Sequence, residues 1–393
     1  MPEVVVPIGP YHPALKEPVN FKVIADGEII VRLELDLAYN HRGIEKAAEA
    51  RDFVRVVPLL ERVCGICSHS HTTAFCKGIE EAMGVTVPPR GQLIRVIVAE
   101  LERMHSHLLW LGVAGHEIGF NTLFMWTWRD REVVQDMLEE LTGNRVNYGM
   151  NAVGGVRRDI EPPLVARCLK RLSPLEERIR KYADMVRHEP TTLARFQGVG
   201  RLTKEQALAF GTVGPTARAS SVDYDIRRDD PYIGYADIPF DVVTDGQGDV
   251  FGRTLVRIGE LLQSVRIVRY ALENLPPGPV RVNTPRGAPK AEVLSRYEAP
   301  RGELAHFIRT NNTDKVERLD IRTPTLANWT SVAVSLVGSN LADIPVVVAA
   351  IDPCLSCTSR ITIVDPGRRQ TSVMSWDELR AHGIDFYRRK EGV

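Results

Sequence analysis

Apolar positions along the chain follow two periods. Between residues 20 and 37, Val, Ile and Leu alternate weakly with polar residues, and Asp26-Gly27 stands between two such runs. A period of two broken by a turn pair predicts a β hairpin. From about Gly43 the spacing lengthens to the helical period. Apolar-periodic segments lie near 46–63, 68–83, 91–118, 122–142, 161–187, 203–210 and 249–274, and each predicts a helix. Proline pairs at 88–89, 162–163 and 276–277 punctuate them. Residues 280–317 read as a short mixed β region, and 325–341 as a last long helix with Asn340 near its end. A further short helix is expected from Ser375 to His382. There is no repeat, low-complexity tract or obvious linker. The expected fold class is therefore mainly α with small β elements (α+β), a long helical bundle with an N-terminal β hairpin region.

Composition narrows the function. The chain of 393 residues is long enough for a large core and two lobes. At 44% hydrophobic and 25% charged residues it is an ordinary globular protein, which excludes disorder. Lys plus Arg and Asp plus Glu both number 50, so the formal charge is zero. A nucleic-acid binder would show a basic excess, whereas near-zero charge favours association with a partner. The apolar run Ile344 to Ile351 falls well short of the roughly 20 residues a membrane span needs, and the N-terminus lacks a signal-peptide pattern. The expectation is a cytoplasmic chain without its own anchor, free to dock on membrane subunits.

Six cysteines, Cys64, Cys67, Cys76, Cys168, Cys354 and Cys357, are too sparse for a disulfide scaffold. Four of them form two C-x-x-C pairs, separated by 354 − 67 = 287 positions. Four thiolates suit zinc, an iron–sulfur cluster or another soft metal. Zinc ribbons place their two pairs much closer together, and a thioredoxin-like redox centre needs only one pair. On spacing alone, structural zinc, iron–sulfur and a catalytic soft-metal site all stay open.

The flanking residues go further. Arg62, Cys64, Gly65, Cys67 and His71 form an R-x-C-G-x-C-x-x-x-H motif, and Asp352, Pro353, Cys354 and Cys357 a D-P-C-x-x-C motif. Both resemble the nickel–iron hydrogenase large subunits. Gly9–Pro13, His41–Lys46, Glu100–His107, Gly214–Arg218 and Glu298–Glu303 resemble the energy-converting, membrane-bound branch (group 4), which is related to the 49-kDa-type subunit of complex I. The complex I relatives lack the two cysteine pairs that this chain keeps.

The resemblance implies a nickel–iron centre whose iron carries carbonyl and cyanide ligands. Cys67 and Cys357 would bridge the metals, and Cys64 and Cys354 would bind nickel alone. Dihydrogen is apolar and a very weak acid, so splitting it needs an electron-rich metal and a base. By the same resemblance Arg301 hangs over the open side of the metals and Glu17 is the proton gate. His71 donates to a thiolate, Thr323 and Pro324 pack against the cyanide ligands, and Glu45 helps hold a structural magnesium. Cys76 and Cys168 match no ligand position. The implied partners are a small subunit carrying a 4Fe–4S cluster and antiporter-like membrane subunits, on the cytoplasmic side of the cell membrane, with dihydrogen and protons as substrates. Residues 1–360 would form the catalytic domain, and 361–393 a C-terminal extension removed on maturation. The alternatives are a quinone-binding or scaffold subunit of a complex I-like NADH or ferredoxin dehydrogenase, using His12, and a sulfur-reducing relative with altered metal ligation.

Overall fold

The structure, a computed structural model, describes residues 4–12, 15, 17–37, 39–358, 364–365, 370–371 and 376–391. It begins with strands β1 (Val4–Ile8), β2 (Asn20–Asp26) and β3 (Ile29–Asp36), which form one antiparallel sheet in that order. Helices α1 (Ile44–Glu49), α2 (Phe53–Leu60), α3 (Ser68–Met83), α4 (Pro89–Glu117) and α5 (Asn121–Thr142) follow. After a minimal hairpin of β4 (Asn151–Ala152) and β5 (Gly155–Val156) come α6 (Pro162–His188), α7 (Pro190–Phe196), α8 (Lys204–Ala209), α9 (Gly214–Arg218), α10 (Ile226–Asp229) and α11 (Val250–Glu273). A second antiparallel sheet contains β6 (Glu292–Ala299), β7 (Gly302–Thr310) and β8 (Val316–Arg322). Helices α12 (Pro324–Leu336) and α13 (Ile344–Ala350), a pair β9 (Val364–Asp365) and β10 (Gln370–Thr371), and α14 (Trp376–Glu391) complete the chain.

The bundle is built on α4, which packs against α5, α11 and α13. Pro89 opens α4 at its first position, where a missing N–H costs nothing. The interior has two apolar clusters. One gathers α4, α5, α6, α11 and β2; the other joins α3 to the β6–β8 sheet and contains all four paired cysteines. Because α4 is buried on nearly every side, its polar residues need partners inside the protein. Arg95 pairs with Glu80 at 2.6 Å, and His107 with Glu260 at 2.8 Å. Glu260 meets Arg218 at 2.8 Å, which also reaches Glu298 at 2.9 Å; Arg227 bridges Glu100 at 3.0 Å and Asp225 at 2.6 Å.

Most long elements lie where the hydrophobic period puts them; the short β4–β5 hairpin and α7, α9 and α10 fall outside the expected segments, and four further differences stand out. The segment expected as one helix over 46–63 is two, because Asp52 accepts from Arg55 N–H and caps a new helix at Phe53. Strand β1, absent from the expectation, is added to the hairpin by pairing with β2. The helix expected to 341 stops at Leu336, and the apolar run at 344 forms α13. The tail helix expected over 375–382 spans Trp376–Glu391.

Candidate metal centre

The first cysteine pair lies in the loop from α2 to α3, with Cys67 as the N-cap of α3. The second lies just after α13, where Leu355–Cys357 makes one 3₁₀ turn. The fold brings them together: Cys354 Sγ is 3.1 Å from Cys64 Sγ and 2.9 Å from Cys357 Sγ. All four are buried free thiols. Among the described residues, two groups offer three or more ligand atoms within 4.8 Å of one another: Cys64, Cys354 and Cys357, and Cys67, His71 and Cys357. This is a soft, sulfur-rich donor set, and it fits nickel or iron better than a hard cation.

Each loop is fastened at several points. The Thr323 hydroxyl donates to the Cys357 carbonyl at 2.9 Å, and Cys354 N–H donates to Thr325 Oγ1 at 3.1 Å. Pro324 starts α12 between them, so the N-terminus of α12 cradles the second pair. Arg42 links both loops, donating to the carbonyls of Arg62 at 2.6 Å, Val63 at 2.8 Å and Ser356 at 3.0 Å.

Arg301 sits at the tip of the β6–β7 hairpin and is 4% exposed. Its Nε donates to the Asp352 carbonyl at 2.7 Å and its Nη2 to Asp352 Oδ1 at 2.9 Å. Asp352 has φ +56°, a strained left-handed conformation for a residue that precedes proline. Arg301 thus clamps the strained backbone that delivers Cys354, and its Nη1 and Asp352 Oδ2 have no protein partner. Burial opposes the arginine charge, but Asp352 and the cysteines outweigh it and keep the guanidinium protonated.

The thiols share charge unevenly. Hydrogen bonding from Cys354 and its neighbours, helped by Arg301, holds Cys64 well below the usual thiol range. Hydrogen bonds to partner thiols push Cys67 and Cys357 well above it. Burial keeps His71 neutral, down to about 4. Its Nε2 lies 3.9 Å from Cys357 Sγ and its Nδ1 3.2 Å from His306 Nε2. Glu17 accepts from Ser356 N–H at 2.8 Å and from the Ser356 hydroxyl, so its carboxylate is tied to the residue that lies between the two cysteines of the second pair in sequence.

A cavity of about 230 Å³ opens on this centre. Cys64, Cys354, Glu17, Arg301 and Asp352 line its polar side, and Leu109, Trp110, Val113 and Trp329 its apolar side. A larger cavity of about 830 Å³ lies behind the first pair, beside Arg62 and Tyr148, and includes none of the four cysteines in its wall.

Of the residues expected at the site, the four cysteines, His71, Arg301, Glu17 and Thr323 converge. Glu45 is engaged elsewhere: its Oε1 accepts from Ile321 N–H at 2.7 Å and ties α1 to β8. Burial pushes Cys76 to about 12 and Cys168 to about 11, as expected of inert core thiols. Sequence reasoning missed Arg42 as a staple, Asp352 as the partner of Arg301, and Glu102, which accepts from the first turn of α3. Arg42 and Glu102 stand in stretches that match the family, which was the available signal; no periodicity marks them.

Residues 42–112 match the family of nickel-dependent hydrogenases. Residues 117–289 and 282–360 match the 49 kDa subunit of respiratory-chain NADH dehydrogenase. The membrane-bound hydrogenase subunit alpha of Pyrococcus furiosus is 42% identical over 380 residues, covering 93% of this chain and 89% of that one. Formate hydrogenlyase subunit 5 of Escherichia coli is 40% identical, covering 97% of this chain and 67% of that one. Among solved structures, a chain of the membrane-bound sulfane sulfur reductase, an archaeal respiratory membrane complex, superposes with TM-score 0.87 at 30% identity, covering 91% of this chain and 98% of that one. Fold and cysteine centre together define a large subunit of the class shared by nickel–iron hydrogenases and complex I. Within that class, the chain belongs to the family of membrane-bound, energy-converting hydrogenase large subunits.

Proposed function

We propose that this chain is the catalytic subunit of a membrane-associated nickel–iron hydrogenase that reversibly reduces protons to dihydrogen. The observation that carries the reading is the convergence of Cys64, Cys67, Cys354 and Cys357, buried and unlinked, with Cys64 and Cys354 in the wall of a cavity that Glu17 and Arg301 also line. In this reading the four thiolates would hold a nickel–iron centre, Cys64 and Cys354 on nickel and Cys67 and Cys357 on nickel and iron together, and the iron would carry carbonyl and cyanide. The bound centre supplies the making and breaking of the hydrogen–hydrogen bond.

The chain's own residues do the rest. Glu17 holds a proton at its carboxylate and passes it between the centre and water. Arg301 keeps a fixed positive charge at the pocket, oriented by Asp352. The apolar wall admits a small apolar gas and limits water. His71 donates to a thiolate sulfur, and Thr323 and Pro324 would pack against the ligands of the iron. A magnesium at Glu45 would lie at the α1–β8 junction.

Among the described residues, no helix is long and apolar enough to cross a membrane. In this reading partner subunits, including antiporter-like ones, attach the chain to the cytoplasmic face of the membrane. A small subunit with a 4Fe–4S cluster carries the electrons, and hydrogen chemistry is coupled to ion movement. We also infer that residues 361–393 are removed after Arg360 on maturation. The junction, residues 359–363, lies outside the described residues, and the described side chains of α14 include the exposed Ile384 and Phe386.

Metal analysis of the purified complex, with a hydrogen-evolution assay and the intact mass of the nickel-loaded subunit, tests the proposal. The expected result is about one nickel per chain, hydrogen evolution, and a mass ending at Arg360. A nickel-free complex that reduces quinone or sulfur would overturn the hydrogenase reading. A full-length mass in active enzyme would overturn processing alone.

A further inference from the structure

Helix α3 begins where the first cysteine pair ends. Cys67 is its N-cap, and the bond from His71 N–H to the Cys67 carbonyl, 3.3 Å, ties the Cys67 backbone to the first turn. A helix start leaves N–H groups in need of acceptors, and Cys67 supplies none from its side chain. The acceptor comes from another helix. Glu102, fully buried on α4, accepts from His69 N–H at 2.6 Å, from Ser70 N–H at 3.1 Å and from the Ser70 hydroxyl. These backbone groups occupy the second and third helical positions, the ones a capping side chain ordinarily serves.

The chemistry of Glu102 differs from that of its neighbour. Glu100, two residues earlier on α4, is matched by Arg227 and Arg103. Glu102 forms no ion pair among the described residues, and burial pushes it up to about 8. A buried carboxyl without a counter-ion is costly, and its compensation here is the start of α3, where backbone N–H groups and the helix dipole favour an acceptor. The same loop is held from other sides: Arg42 takes the carbonyls of Arg62 and Val63, and the Ser68 hydroxyl donates to the Val146 carbonyl at 2.7 Å. Among the described residues, Glu102 is the side chain that accepts the backbone N–H groups of the turn that carries the Cys67 backbone into the helix.

We propose that Glu102 is the positioning residue for Cys67: by capping α3 from α4, it fixes the thiol where the other three sulfurs converge, before and after metal binds. This rests on the metal-centre reading above.

Glu102→Leu keeps the side-chain bulk and removes every acceptor, whereas Glu102→Gln keeps an acceptor oxygen. In the assembled complex, nickel per folded chain should fall roughly tenfold in Glu102→Leu, the scale set by losing a group that orients a ligand. Glu102→Gln should retain nickel near the wild-type level. A purely structural role would lower the thermal midpoint and leave nickel per folded chain unchanged, and that result overturns the proposal. If Glu102→Leu does not accumulate, Ser70→Ala takes its place, since it removes one of the three accepted bonds. A changed nickel paramagnetic resonance at full metal content is then expected, and an unchanged resonance overturns the role of Glu102. Wild-type complex without nickel would refute the metal centre itself. Full nickel in both wild type and Glu102→Leu would refute only the positioning role.

Discussion

Glu17 reaches the cysteine centre from outside any helix or strand. It is placed by Ser356, which donates both its backbone N–H and its hydroxyl to the carboxylate from between Cys354 and Cys357. Glu17→Gln preserves the shape and removes the titratable group. Hydrogen turnover and hydrogen–deuterium exchange with water should fall at least about 100-fold, the usual worth of a positioned proton carrier, with nickel and iron content unchanged. Normal turnover in this variant would move the gate to another carboxylate. Of the other carboxylates in matched stretches, Glu45 accepts from Ile321 N–H and Asp343 faces Arg195 at 3.4 Å. At this scale the sequence was informative where chemistry is written in residue type: four thiols in two pairs, and an arginine and a glutamate inside recognisable motifs. It was silent where function depends on contact between distant positions. Arg42 and Ser356 are 314 positions apart, and the strained φ of Asp352 leaves no mark on composition or period.

Among elements, the β6–β7 hairpin and α9 act as one unit. Gly302 has φ +128° and Gly214 φ +68°, and a Cβ on Gly214 would lie 2.3 Å from Gly302 Cα. Backbone therefore meets backbone at the hairpin tip, leaving Arg301 aimed at Asp352 and Arg218 aimed at Glu298 and Glu260. Gly302→Val should force the tip away from α9, with strain of about 1–3 kcal/mol from the backbone conformation alone. The expected outcome is a lower thermal midpoint and a larger proportional loss of turnover than of nickel content, because Arg301 moves while the cysteine loops keep their other fastenings. Full activity with a normal midpoint would show that the close approach is not needed. The long helices α3, α4, α5, α6 and α11 were legible because each has an apolar face and a clear start or stop. The breaks were less legible: Asp52 capping α2 and β1 joining β2 are decided by single hydrogen bonds and by sheet pairing, which the period cannot register.

The whole molecule carries no net charge, yet its interior concentrates groups whose protonation differs between folded and unfolded states. Burial drives His69 down to about 3 and His71 down to about 4, and lowers His105, His107 and His306 as well. For His69, His71, His105 and His306 the unfolded chain takes up a proton near pH 6.5 while the folded chain stays neutral. Their stability is fully present above that pH and is lost as pH falls toward the folded values. Burial acts oppositely on Glu298, up to about 7, and Glu102, up to about 8. These two contribute stability below about pH 4.5 that is lost as pH rises through 7 and 8. Between about pH 4.5 and 6.5 the unfolded chain therefore holds about 4 − 2 = 2 more of these protons than the folded chain, with His107 adding to the difference in the same direction. Each is worth at most about 1.4 kcal/mol per pH unit. Chemical denaturation of the metal-free subunit should show a midpoint that drops steeply from pH 6.5 to 4.5. Glu298→Gln, which removes one opposing carboxyl, should steepen that drop further wherever the variant still folds. A midpoint that stays level across this window would mean that the histidines are not held neutral in the folded state, and that the polar interior around the cysteine centre is wetter than its close packing implies.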